Sequence, residues 1–89
     1  MKFVVKHEIK GRIRVHFCQK RMTFEEADTL QYYLNSQEMI TSSKVQERTQ
    51  DATICYTGDR ASVIALLRSF HYEKVDVPDV YRQNSGRAT

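Results

Sequence analysis

Gly11-Arg12-Ile13-Arg14-Val15-His16-Phe17-Cys18 alternates polar and apolar residues without a break. A strand turns successive side chains to opposite faces, so Ile13, Val15 and Phe17 share one face and Arg12, Arg14, His16 and Cys18 the other. The apolar face requires a cover. The opposite face carries two guanidiniums, an imidazole and a thiol, groups that bind anions, acidic partners or soft metals.

Outward from this stretch, the apolar residues at Phe3 to Val5 predict one strand from about Phe3 to Phe17, with Gly11 as a bulge or bend inside it. A basic loop, Gln19-Lys20-Arg21-Met22, follows. Thr23-Phe24-Glu25-Glu26 is a capping box, in which the Thr23 hydroxyl accepts from the Glu26 amide while the Glu26 side chain reaches back. The helix it opens carries Ala27, Leu30 and Leu34, with Tyr33 beside them, and exits at Asn35-Ser36. Ile40 to Thr49 and Ala52 to Tyr56 read as two strands joined around Gln50-Asp51. Asp59 is placed to cap a second helix with Val63, Leu66, Leu67 and Phe70 on its apolar side. Val75 and Val77 predict a short last strand before Pro78.

The expected order is β-α-β-β-α-β, a ferredoxin-like α+β sandwich with a four-stranded antiparallel sheet and two helices on one face. It occupies residues 1–78, and residues 79–89 read as a polar linker or tail. In that layout the first and third strands are central neighbours. Arg12, Arg14 and His16 then lie beside Thr53 and Cys55 on the face away from the helices, and Lys44, Gln46 and Arg48 extend it.

Composition narrows the classes of function. The chain has 89 residues, 40% hydrophobic and 28% charged, which suits one small globular domain and not a disordered segment. It contains no apolar run long enough for a membrane span and no secretory signal near Met1. Two cysteines are too few for a disulfide scaffold, and reduced thiols in a cytosolic setting are the expectation. Charge is unevenly placed. Residues 1–21 hold seven Lys/Arg against one acid, Glu8, while the other 68 residues hold seven Lys/Arg against ten acids. Positive potential concentrated on the first strand and its loop points to an anionic partner.

The segments Gly11 to Phe17, Arg21-Met22-Thr23, Ala27-Asp28 with Tyr32-Tyr33-Leu34, and Glu47-Arg48-Thr49, in that order, resemble the heavy-metal-associated domains of metal-transporting ATPases. The chain looks most like a divergent class at the N-terminus of bacterial heavy-metal translocating P-type ATPases, over most of residues 3–77. The resemblance implies a cytosolic domain of an integral membrane protein, with no membrane insertion by this segment and with the other domains of the same ATPase as partners. The better-known members carry C-x-x-C in the loop after the first strand, where paired thiolates bind a soft ion. Here that loop is Cys18-Gln19-Lys20-Arg21-Met22, with one thiol and two cations.

Two kinds of site follow. The cationic face, Arg12, Arg14, Lys44 and Arg48 with Lys20 and Arg21 at its edge, suits docking onto an acidic surface. A soft transition metal, Cu or Zn, would call on Cys18 with His16 or Cys55, and Met22 offers a thioether. Nucleic acid is not expected, because an RNA-binding sheet of this topology displays aromatic residues where this one has Arg14, His16, Thr53 and Cys55. Catalysis is not expected either. A phosphate-binding loop of the acylphosphatase kind needs glycine amides, and residues 18–22 contain no glycine. His7 and His71 are isolated in the sequence and suggest no role. The expected function is a regulatory or docking domain of a heavy-metal P-type ATPase without the usual C-x-x-C site. The alternatives are a metal-binding domain and a free-standing protein-interaction module.

Overall fold

Ile13, Val15 and Phe17 are fully buried while Arg12 and Arg14, at alternate positions, are exposed, as the alternation requires. The computed structural model describes residues 1–78. Its elements are β1 (Phe3–Ile9), β2 (Arg12–Phe17), α1 (Phe24–Asn35), β3 (Ile40–Gln46), β4 (Asp51–Tyr56), α2 (Arg60–Ser69) and a 3-10 turn over Tyr72–Lys74. The sheet is antiparallel with strand order β1-β2-β4-β3. Both helices cover one face of it. Ala27, Leu30 and Leu34 of α1 and Val63, Leu66 and Leu67 of α2 share a core with Ile13, Val15, Phe17, Val45, Ala52, Ile54 and Tyr56.

The helices start where local chemistry starts them. Thr23 accepts from the Glu26 amide at 3.0 Å and the Glu26 carboxylate accepts from the Thr23 amide at 3.0 Å, which completes the capping box. Asp59 caps α2 by accepting from the Ala61 amide at 3.1 Å. Each cap is worth about 1 kcal/mol, a useful share of a small domain's stability. Tyr33 tilts against Phe70, ring centroids 5.0 Å apart, and closes the core between the two helices.

The layout is consistent with the ferredoxin-like sandwich, but the chain fills it in a different order, β-β-α-β-β-α. The stretch from Phe3 to Phe17 is not one strand. It is a hairpin that turns at Lys10-Gly11, with Ile9 paired to Arg12 and Gly11 at φ 82°, a backbone conformation suited to glycine. The bulge lies elsewhere, between Val5 and His7 in β1. Val75 and Val77 do not form a strand. The sheet edge beside β2 is taken by β1, so Val77 is buried and Val75 packs on the core from outside the ladder.

The strand expected to reach Thr49 ends at Gln46, and residues 47–50 form the turn to β4. Gln50 adopts φ 62° there. Its side-chain amide donates to the carbonyls of Phe17 at 2.9 Å and Gln19 at 2.8 Å, while its own carbonyl accepts from the Phe17 amide at 2.9 Å. These bonds hold the β3–β4 turn against the end of β2, where the cationic loop begins. The polar segment expected over residues 79–89 lies outside the described residues.

Candidate functional site

The sheet face away from the helices is built in rows, because directly paired residues on antiparallel strands point the same way. The middle row is His7, Arg14, Thr53 and Lys44, one residue from each strand in order across the sheet. On one side of it runs Ile9, Arg12, Cys55 and Ser42, and on the other Val4, His16, Asp51 and Gln46. Arg12, Arg14 and Lys44 are exposed. His7, Arg12, Arg14 and Thr53 line a shallow depression of about 400 Å³.

The charges on this face are poorly matched. Asp51 is its acid on the central strands, and its carboxylate is already engaged with His16 Nδ1 at 2.8 Å. Glu8 lies on the helix side, where it pairs with Arg60 at 2.8 Å. Among the described residues, Arg12, Arg14 and Lys44 have no carboxylate within 4.0 Å. Each guanidinium therefore keeps its donors for solvent or for a ligand. The Cα atoms of Arg12 and Arg14, two residues apart on one strand, stand roughly 7 Å from each other, a spacing that lets both side chains reach a shared anion.

The other cations predicted from the sequence sit at the perimeter. Lys20 and Arg21 are exposed in the loop from β2 to α1. Arg48 is exposed in the β3–β4 turn and not on the strand face. That turn is bound to the end of β2 through Gln50, so these cations occupy one end of the sheet.

The metal set is not brought together across the strands. Cys55 pairs with Arg12, whereas His16 pairs with Asp51, four residues farther along β4. That spacing separates His16 from Cys55 by about 13 Å along the strand, against metal–ligand bonds of about 2 Å. Cys18 is exposed just beyond β2, farther still from Cys55. Met22 is 3% exposed and belongs to the core. Among the described residues, no group of three His, Cys, Asp or Glu side chains is placed to hold a metal ion.

His7 is the member of the site that the sequence did not reveal. Its position beside Arg14 depends on the hairpin. A glycine after a lysine between two strand-like runs was the available signal. A larger cleft, about 530 Å³, lies on the opposite side between β1 and α2, with Phe3, Val5 and Ile64 in its lining. Among the described residues, no helix is long and apolar enough to cross a membrane. No family model, no curated protein and no solved structure matches the chain.

Proposed function

We propose that this domain is a docking and regulatory module of a heavy-metal translocating P-type ATPase, and that its open sheet face binds an acidic surface of the transporter body. The parent protein is suggested by the ordered sequence resemblance. The docking role rests on one observation. Among the described residues, Arg12 and Arg14 project together from a central strand onto a face that no helix covers, and no carboxylate neutralises them. A cationic surface of this kind speeds and orients encounter with an acidic partner. In this reading Lys44 extends the surface across the sheet, while Lys20, Arg21 and Arg48 guide the partner at one end. The domain binds and carries out no reaction of its own, and it lies on the cytosolic side of the membrane.

The test is charge reversal. Arg12→Glu with Arg14→Glu in the full-length transporter should weaken association of the domain with the transporter body by at least about tenfold and change the transport rate. Added salt should weaken the unmodified contact in the same direction. Unchanged association and unchanged transport would overturn the proposal.

A further inference from the structure

The depression around Arg14 has a chemistry narrower than that of a docking face. Arg14 lies between His7 on β1 and Thr53 on β4, each directly opposite it in the ladder. Neighbouring strands are about 4.8 Å apart, so an imidazole, a guanidinium and a hydroxyl from three strands stand side by side in the lining of one depression. Arg12, two residues along β2, adds a second guanidinium to the same depression. The donors thus come from three strands.

That arrangement selects among anions. A carboxylate is planar, and the fork of one guanidinium satisfies both of its oxygens. A phosphoryl group presents three terminal oxygens in a tetrahedron and a charge near −2 at neutral pH, which matches two guanidiniums and leaves an oxygen for the hydroxyl or imidazole. We infer that the depression formed by His7, Arg12, Arg14 and Thr53 is a binding site for a phosphoryl group, carried by free phosphate or by a small phosphate monoester. The inference deepens the docking proposal by naming a ligand for the centre of that face. It adds two residues, His7 and Thr53, that docking does not need.

Backbone amide NMR spectra of the 89-residue chain, titrated at constant ionic strength, test it. Inorganic phosphate should produce saturable shifts centred on His7, Arg14 and Thr53. Thr53→Val removes the hydroxyl without changing charge, and His7→Gln removes the imidazole. Each should weaken phosphate binding by at least about tenfold, the usual effect of one lost hydrogen bond to a charged ligand. Neither should alter binding of a glutamate-rich peptide by more than about twofold, because the arginines remain. Glycerol phosphate is the second probe. Tighter binding than inorganic phosphate identifies an ester as the ligand, and weaker binding identifies the free ion.

Phosphate shifts no larger than those from chloride, or insensitive to both substitutions, would overturn the site. The docking proposal fails separately. If Arg12→Glu with Arg14→Glu leaves transporter association intact while abolishing phosphate binding, the site stands and docking does not.

Discussion

Glu8 and Arg60 form a two-pronged ion pair, with Arg60 Nε 2.8 Å from one carboxylate oxygen and Nη2 3.0 Å from the other. The pair ties the edge strand β1 to the first turn of α2. The guanidinium hydrogen bonds hold the Glu8 carboxyl below its ordinary value of 4.5, despite some opposing loss of hydration. The folded carboxyl therefore binds a proton less readily than the unfolded one. Its contribution is complete above that ordinary value and is lost as pH falls through the lower folded value. Both side chains remain open to water, so the contribution is small. Urea midpoints should show Glu8→Gln slightly less stable than the parent at about pH 7, with the gap closing by about pH 3. A gap of equal size at both pH values would assign the effect to packing and not to charge.

Gly11 decides whether the N-terminal residues form a hairpin. Its φ of 82° is strained for any residue with a Cβ, although an added Cβ would meet the Tyr56 carbonyl oxygen at an ordinary 3.5 Å. The cost of Gly11→Ala is then conformational, about 1–2 kcal/mol. Gly58, at φ 88° with nothing within 4 Å of its missing Cβ among the described residues, is the matched control. Gly58→Ala should lower the urea midpoint by a similar amount. A neutral Gly11→Ala would contradict the turn at Lys10-Gly11.

What the sequence disclosed was local. Thr23 and Glu26, Asp59, and the buried stripes of both helices depend on residues within a turn or two of each other. The alternation that buries Ile13, Val15 and Phe17 also exposes Arg12 and Arg14. The hairpin was obscured because β1 lacks that alternation. The bulge after Val5 breaks its parity, Glu8 points to the helix side, and Val4, Val5 and Ile9 remain exposed. The assumed length offered a warning, since a strand from Phe3 to Phe17 exceeds the usual upper limit of about 10 residues. Val75 and Val77 alternate because one side packs on the core, which needs no ladder. Register was the remaining gap. Placing β2 beside β4 does not say whether His16 meets Cys55 or Asp51, and that difference separates a shared ligand set from a hydrogen-bonded pair.

The same register governs the thiols. Cys55 is opposite Arg12, and Cys18 lies six residues beyond Arg12, about 20 Å along the strand. A disulfide needs Cα atoms within about 7 Å. Mild thiol oxidation should therefore yield a dimer linked through the exposed Cys18, visible on a non-reducing gel. Cys18→Ser should abolish it and Cys55→Ser should not. A Cu(I) or Zn(II) titration should likewise be unaffected by Cys55→Ser. An intramolecular bridge, or a loss of metal affinity on Cys55→Ser, would show that the strands pair differently.

The Tyr72 hydroxyl donates to Gln19 Oε1 at 2.9 Å, and the Gln19 amide donates to the Arg21 carbonyl at 2.7 Å and to Glu26 at 3.2 Å. The 3-10 turn is thereby joined to the cationic loop and to the start of α1. Burial, with the Glu26 charge adding to it, raises the Tyr72 hydroxyl well above its ordinary value of 10.0. The folded phenol keeps its proton after the unfolded one has lost it. The stabilisation is complete below the ordinary value and declines as pH rises through the alkaline range. Tyr72→Phe should cost about 1 kcal/mol at about pH 7 through the lost hydrogen bond. Above about pH 10 the parent loses stability that the variant does not, so the gap between their urea midpoints should narrow or reverse. A gap that stays constant to about pH 11 would mean that the Tyr72 proton does not contribute to alkaline unfolding.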